Sequence, residues 1–470
     1  MVNFGFVIDN RTCIGCHACT VACKSEHDVP IGVNRTHVKY IEKGSYPNST
    51  REFSVHRCNH CEDSPCTTIC PTTALFTRSD GIVDFDDERC IGCKSCMQAC
   101  PYDALYIDPN NGTAAKCNYC AHRIENSYEP ACVIVCPTES IVSGDLDDPE
   151  TKISKIVSTE KTTVRKAESG AKPKVYYIEG SEEMLDPGAT EVTASGMWTE
   201  QAFGVGHFAK YAESRLEGAD TTSMIVQLAL EKKAKKAAPR DQAIIRDVME
   251  RLADESGNPK RTYDQPSKGI LWGWEVSAYI WTKGICSGTY VVAVLAMLFG
   301  LVEMNDGLWA LTIAVGIIFL ALTGLLLVID LDRPERFLYV LLRPNWDSWL
   351  VKGAFILSGY GGILAASAAV RVLDLNRSLL TILALAGVPL ATLTGIYTAW
   401  LLMQAKGRSW SRDPLLPAKF LLETLVAGAA VFIPLATRDT MAITLGVVVL
   451  AIVLFHDKRL IVKPQMEPLL

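Results

Sequence analysis

Hydrophobic and polar positions divide this 470-residue chain into two textures. From Trp272 onward, apolar runs long enough to cross a bilayer recur at roughly 276–302, 307–329, 350–370 and 379–403. Two further runs, 416–436 and 440–456, are shorter or contain Lys419 and Glu423. One such run alone could be a buried helix of a soluble protein. Four in succession predict a polytopic helical bundle, and the count is six spans. Before Trp272 the pattern changes. Residues 1 to about 150 are short segments broken by cysteines, and 151–195 predict a strand-and-loop tail with Lys174–Ile178 as its best strand. Between 196 and 268 the chain is polar. There, Ser223–Ala253 places Ile225, Leu228, Leu230, Ile244, Ile245, Val248 and Leu252 at helical spacing, interrupted by the basic run 232–236 and by Pro239. That predicts two surface helices in a connector, the basic run being a solvated face.

Charge sharpens the division. Residues 1–270 hold 70 of the 98 charged side chains and net −8, whereas residues 271–470 hold 28 and net +2. With −6 overall and no basic face large enough to track phosphates, nucleic acid is excluded as a partner. The short loops orient the apolar half. Those on the side shared with the N-terminal part carry fourteen Lys and Arg, and the opposite side carries only Arg371, Arg377 and Arg438. This positive-inside bias predicts a multi-pass inner-membrane protein with both termini and the cysteine-rich part in the cytoplasm. A re-entrant hairpin in place of the last two spans would leave that parity unchanged.

Sixteen of the 17 cysteines lie between Cys13 and Cys136. Such density means either a disulfide scaffold or a metal protein. The first nine residues have no basic start, no long apolar run and no twin arginine, so the export that a disulfide scaffold needs is not expected. Four motifs organise the cysteines: Cys13-x2-Cys16-x2-Cys19-x3-Cys23; Cys58-x2-Cys61-x4-Cys66-x3-Cys70; Cys90-x2-Cys93-x2-Cys96-x3-Cys100; and Cys117-x2-Cys120-x11-Cys132-x3-Cys136. Three closely spaced cysteines on one tight loop aim their thiolates at one cubane, and the fourth, a helical turn on, serves another. Motifs of this kind come in pairs, so four predict four [4Fe–4S] clusters. Pro71, Pro101 and Pro137 turn the chain away after the last ligand of three motifs, and Gly15 and Gly92 let the loops bend close to sulfur. Structural zinc sites use isolated Cys-x2-Cys pairs without a third cysteine at the next step, which excludes zinc. The expected fold class is an α+β ferredoxin-like domain with tandem [4Fe–4S] pairs over 1–195, a polar helical connector over 196–268, and an all-α membrane bundle over 269–470.

The four-motif order resembles the iron–sulfur subunits of polysulfide reductase and dimethyl-sulfoxide reductase type molybdoenzymes, the NrfC-like ferredoxins, over residues 1 to about 190. The resemblance implies that motif one pairs with four and motif two with three. One cluster would use Cys13, Cys16, Cys19 and Cys136, and its partner Cys117, Cys120, Cys132 and Cys23. The other pair would use Cys58, Cys61, Cys66 and Cys100, and Cys90, Cys93, Cys96 and Cys70. The resemblance also places the third-motif cluster nearest the membrane. His17, His56, His60 and His122 adjoin cluster cysteines as tuning or surface groups rather than ligands, and Cys286 reads as a small buried core residue.

In the first apolar run, Glu275, Tyr279 and Lys283 fall at i, i+4 and i+8 on one helical face, extended by Thr282, Ser287 and Tyr290. Two readings stand: a polar wall for a quinone head group, or Lys283 snorkelling to the interface with Glu275 as partner. Trp272 and Trp274 suit either the pocket or an aromatic belt. The stretches Asp330-Leu331-Asp332-Arg333-Pro334-Glu335-Arg336-Phe337 and Arg343-Pro344-Asn345-Trp346 resemble the NrfD-like membrane subunit that partners such ferredoxins, over about 268–410. That resemblance makes Asp330, Asp332, Arg333 and Arg336 candidates for proton handling or subunit docking. An interfacial salt-bridge cluster is the alternative. The chain departs from the family in carrying both subunits fused and in having fewer than the usual eight or more helices.

A haem between helices commonly takes two histidine ligands, and only His456 lies in the membrane half, so no haem is expected. Electrons would then pass directly between an iron–sulfur cluster and menaquinone or ubiquinone. No nucleotide, flavin or pterin motif occurs. The chain therefore reads as a subunit of a quinone-linked oxidoreductase complex of anaerobic respiration that lacks the terminal catalytic site. By resemblance, its partner is a molybdenum or tungsten bis-pterin catalytic subunit, and its other contacts are membrane lipid and quinone. The alternative is a haem-free iron–sulfur and quinone module of a larger respiratory complex, fed by a soluble donor without a pterin enzyme.

Overall fold

The computed structural model describes residues 2–44, 49–186, 190–192, 259–264, 268, 270–375 and 377–466. The two connector helices expected within 223–253 lie outside these residues.

The N-terminal part is built on β1 (Phe4–Asp9), where Phe6, Val7 and Ile8 are all buried. Successive strand residues point to opposite faces. Val7 packs with Ile153 and Ile178 on one face, and Phe6 and Ile8 pack with Cys19, Tyr119 and Cys132 on the other. The strand is continuously apolar because both of its faces are covered. Helix α1 (Ala18–Glu26) follows the first cysteine loop, and β2 (Thr36–Lys43) and β3 (Thr50–Arg57) form an antiparallel pair. A repeat comes next. Motif two carries helix α2 (Pro65–Ile69) and then the hairpin β4 (Leu75–Thr77) and β5 (Val83–Phe85). Motif three carries α3 (Ser95–Ala99) and then β6 (Leu105–Ile107) and β7 (Ala114–Lys116). Motif four spans two single-turn helices, α4 (Ala121–Ile124) and α5 (Ala131–Ile134), before β8 (Ile141–Asp145).

The tail after residue 150 is more ordered than strand and loop. Thr151 accepts a hydrogen bond from Ser154 N at 3.3 Å and starts helix α6 (Lys152–Thr159), whose Ile153, Ile156 and Val157 cover β1. After β9 (Thr162–Thr163), β10 (Val175–Ile178) inserts parallel to β1, giving the sheet order β8-β1-β10-β9. A second sheet, β11-β12-β2-β3, takes β11 (Glu191–Val192) and β12 (Lys260–Tyr263). The end of the expected connector thus returns to pair with β2.

Six helices are long and apolar enough to cross a membrane: Trp274–Leu298, Asp306–Ile329, Trp349–Val372, Ser378–Gln404, Leu416–Thr437 and Thr440–Gln465. The last two are continuous helices, close in length to the spans before them. The sixth runs nine residues past the expected end at 456. His456, Asp457, Lys458 and Arg459 end the apolar run, while Ile461 and Gln465 beyond them are buried. The first span is the central helix: 72% of its apolar window is buried against protein, compared with 17–28% for the other five. Its polar residues Ser277, Thr282, Lys283, Ser287 and Thr289 therefore face neighbouring helices rather than lipid. The first and fifth spans cross at backbone contact through Gly288 and Gly428, the close approach that small residues allow in membranes.

A Cβ at Gly288 would lie 1.9 Å from the carbonyl oxygen of Thr424. Gly288→Val should therefore force these helices apart and cost about 3 kcal/mol or more. Gly362→Ala, with nothing within 4 Å of the new atom, is the neutral control. Thermal unfolding of both full-length variants in detergent checks this, and equal midpoints would refute it.

Candidate metal centres and the seam with the membrane bundle

The structure gathers sixteen cysteines into four quartets, each with three members from one motif and one from another. Cys13, Cys16, Cys19 and Cys136 line one cavity, and Cys70, Cys90, Cys93 and Cys96 line a second. Cys23 lies among Cys117, Cys120 and Cys132, and Cys61 among Cys58, Cys66 and Cys100. Motif one therefore interlocks with four, and motif two with three. Helix contacts produce this exchange, since α1 packs on α5 and α2 on α3. Each quartet's outlying cysteine (Cys23, Cys70, Cys100 or Cys136) sits past the turn that carries the other three of its motif.

Several observations fit a sulfur-ligated anionic centre in these quartets. The donor set is all thiol, which suits soft metals and iron–sulfur clusters. Backbone N–H groups point at sulfur: Ala114 N donates to Cys90 Sγ at 3.3 Å, and His60 N to Cys58 Sγ at 3.5 Å. The loops close through left-handed glycines. Gly15 (φ 67°) has no room for a Cβ beside the Phe53 ring, nor has Gly92 (φ 69°) beside Asp332. Arg57 is the most telling residue. It is buried, donates Nη1 to Cys132 Sγ at 3.2 Å and lies over the Phe6 ring, while its Nε and Nη2 have no hydrogen-bond partner. A buried guanidinium needs an anion. Here its electrostatic neighbours are Cys132, Cys117 and Cys19, from two adjoining quartets.

The histidines divide by partner. His60 Nδ1 accepts from Val83 N at 3.1 Å, and His56 sits between Ser54 Oγ and the Arg165 guanidinium. Burial pushes both well below the usual imidazole range and keeps them neutral. His17 packs on Tyr40 and Tyr263, and His122 pairs with Glu26 on the surface. His27, which sequence reasoning passed over, places Nε2 3.2 Å from Cys120 Sγ. Burial, aided by the Arg35 charge, holds it down to about 4. None of these rings displaces a cysteine from its quartet.

The quartet of Cys70, Cys90, Cys93 and Cys96 lies at the seam with the bundle. Trp272 Nε1 donates to the Cys93 carbonyl at 3.1 Å, and Asn345 Nδ2 to the Cys70 carbonyl at 2.7 Å. Gln98 of α3 donates to Gln465 Oε1 at 2.7 Å and accepts from Arg408 Nε at 2.8 Å. Lys94 pairs with Asp332 at 2.9 Å. Arg333 donates to the Asn111 carbonyl, and Arg336 to those of Asp87 and Cys90. Among the expected site residues, Asp332, Arg333 and Arg336 are thus docking contacts. One continuous apolar core joins Cys90 and Cys96 to Trp272, Val276 and Tyr279 of the first span.

Glu275 is half-buried, and Asp330 lies within electrostatic reach of it, of Lys94 and of Asp332. Tyr279 is buried near Asp330, Tyr397 and Thr398. Lys283, one turn deeper, neither snorkels nor pairs with Glu275. It is fully buried, donates to Thr398 Oγ1 and sits over the Tyr397 ring at 4.5 Å. Cys286 is buried one turn further on and donates to the Lys283 carbonyl. Sequence reasoning missed Gln98, Arg408 and Gln465, whose roles exist only across the seam. It also missed Asp457, for which there was a signal: an acid directly after an apolar run.

Two families match the chain: a 4Fe-4S dicluster domain over residues 50–146, and polysulphide reductase NrfD over 263–456. The chain is 41% identical to a polysulfide reductase chain of Wolinella succinogenes over 178 residues, which cover 93% of that protein and 37% of this chain. It is 40% identical to a tetrathionate reductase subunit of Salmonella typhimurium over 179 residues, 72% of that protein and 37% of this one. Protein NrfC of Escherichia coli is 39% identical over 180 residues, 81% of its length and 38% of this chain. The chain belongs to the iron–sulfur electron-transfer subunits that these relatives represent, fused to an NrfD-type multi-pass membrane domain.

Proposed function

We propose that the four quartets hold four [4Fe–4S] clusters, and that the chain carries electrons between a molybdenum or tungsten bis-pterin catalytic subunit and membrane quinone without haem. The reading rests above all on the seam. The quartet of Cys70, Cys90, Cys93 and Cys96 is pressed against the first span by Trp272, Asn345 and Gln98, so an apolar, water-poor path leads from its sulfurs to Tyr279. When bound, the clusters supply one-electron conduction. The protein supplies the rest. The thiolates hold the clusters, backbone N–H groups and Arg57 balance their negative charge, and the packed seam fixes the distance to the membrane. The quinone head group meets the bundle where Glu275, Tyr279 and Asp330 converge, with Lys283 behind them. Every loop that touches the iron–sulfur domain lies on one side of the bundle, the side with the excess of Lys and Arg. In this reading that side is the cytoplasmic face of the inner membrane.

Native purification tests the partner: a large co-purifying subunit containing molybdenum or tungsten is expected. Absence of both metals and of such a subunit would refute the pterin partner. Iron and acid-labile sulfide should each reach about 16 atoms per chain, four for each cubane. A value near eight would leave two quartets unfilled and refute the four-cluster reading. Arg57→Leu should lower the midpoint potential of a cluster beside Cys132 in redox titrations followed by electron paramagnetic resonance, because it removes a buried fixed positive charge. Arg57→Lys should restore most of the shift. Unchanged midpoints at full iron content would remove Arg57 from that role.

A further inference from the structure

Seven residues into the fifth span and nine back from the end of the sixth, three ionisable side chains meet that the electron path does not use. Glu423 Oε1 receives His456 Nδ1 at 2.7 Å, and the ligand atoms of Glu423, His456 and Asp457 all lie within 4.8 Å of one another. Asp457 is 1% exposed, and its Oδ1 has no hydrogen-bond partner; nor has Glu423 Oε2. Both carboxyls line a cavity closed by Gly284 and Trp281 of the first span, Gly395 of the fourth and Thr424 of the fifth. At 1.5 Å per residue the group sits about 10–14 Å inside the helix ends nearest the iron–sulfur domain. The group lies where the apolar run of the sixth span ends, and a buried acid is costly there too unless it is paired or functional.

The charges facing this group come from three spans. Lys283 of the first reaches both Asp457 and Glu423 electrostatically but makes no ion pair with either. From the fifth span, Lys419 lies on the side of Glu423 nearest the aqueous face and is bonded to Asp413. His456, on the sixth span itself, is 58% exposed at its side chain and opens on the outer surface of the bundle. The polar series therefore runs from Tyr279 and Thr398 through Lys283 to Asp457 and Glu423, and leaves the bundle at His456.

We propose that Glu423, Asp457 and His456 form a proton site buried within the bundle, loaded and emptied through Lys283 as the quinone is turned over. This rests on the quinone reading above. Each quinone reduced takes two electrons from the iron–sulfur side and two protons from the protein, and each quinol oxidised returns them. In the oxidising direction an N–H bond of the Lys283 ammonium breaks and an O–H bond forms at Asp457, the proton crossing the gap between them on a bridging water because no direct hydrogen bond joins the two, and Lys283 is then ready for the next proton from the quinol. Glu423 and His456 pass the proton outward across their 2.7 Å hydrogen bond. Reduction runs the same steps in reverse. Two carboxyls, an imidazole and an amine packed this closely hold a variable number of protons without a change in fold, as a relay requires.

The test uses the full chain with its clusters in lipid nanodiscs, with a menaquinol or ubiquinol analogue as donor. Wild type should show a protonated-carboxyl band change in infrared difference spectra when the quinone pool changes redox state. Asp457→Asn and Glu423→Gln should each abolish part of that band. Each should also slow quinol-linked cluster reduction at least about tenfold, as should Lys283→Met, and Asp457→Glu should restore most of the rate. Reduction of the clusters by dithionite should be unchanged in all four. If wild type shows no quinol-linked reduction, the quinone reading fails and this inference with it. If wild type reduces its clusters with quinol and both carboxyl variants match it in rate and band, the proton site alone is refuted. A stoichiometric divalent metal that is lost in His456→Ala would equally refute it in favour of a metal site.

Discussion

A membrane electron carrier must hold a soluble metal domain rigidly against a helical bundle, although the two present surfaces of opposite character. Here a buried amide pair sits at the centre of the contacts that do so. Gln465, near the end of the sixth span, bonds Gln98 of the third cysteine motif and also Leu271 N, Trp272 N and the Trp272 carbonyl. Arg408 bonds Gln98 from the opposite side. The amides and the guanidinium are buried, so breaking any member leaves a polar group without water or partner, at a cost of about 1–3 kcal/mol each. The helix that carries Cys96 is thus fixed between the start of the first span and the end of the sixth. The position of that quartet relative to Tyr279, and hence any transfer across the seam, depends on this clamp.

How much of this was legible in the chain depends on whether the signal was local. The cysteine spacings are local, so the motifs could be read without any structure, while their pairing followed only from the resemblance to the NrfC-like ferredoxins. The first four spans were equally plain, because twenty apolar residues have few alternatives, whereas the last two are shorter or carry Lys419 and Glu423. The misreadings share a cause. Lys152–Thr159 is short, and its helical form follows from a Thr151 cap and from β1 waiting to be covered. Strand β10 was foreseen, but not its parallel place beside β1, which depends on a crossover of some 165 residues. The sixth span was ended at residue 456 because hydropathy falls there, whereas the helix continues for contacts made by Ile461 and Gln465 with partners far away in sequence.

The site residues follow the same division. Cysteine thiolates are a specific donor set, and sixteen of them in four motifs leave little choice. Single polar residues in a span are ambiguous. Glu275, Tyr279 and Lys283 share a helical face, yet Lys283 turns to Thr398 and the Tyr397 ring, while Glu275 stays near Asp330. A helical wheel ranks these three as equivalents. Only the central position of the first span shows why Lys283 cannot snorkel: it is enclosed by the fourth and fifth spans and has no route to the interface. Arg57 was hidden for the opposite reason. An arginine next to Cys58 in sequence reads as ordinary, and its burial between Cys19, Cys117 and Cys132 exists only once motifs one and four interlock.

Fusion of the two parts has a physical consequence that separate subunits lack. Linking two surfaces makes their association intramolecular, with an effective concentration set by the tether. The tether proper is short. Strand β12 is anchored in the soluble sheet, Lys268 bonds the Asp103 carboxylate and carbonyl, and Trp272 is already in the seam. From Tyr263 to Trp272 the chain can span at most about 30 Å. An anchored tether of that reach prevents the iron–sulfur domain from drifting away if the Gln98–Gln465 clamp opens. The seam contacts then need only select one orientation, not supply the whole free energy of association. The directional hydrogen bonds to backbone carbonyls of the cysteine loops do that selecting, beside the apolar core that the two parts share.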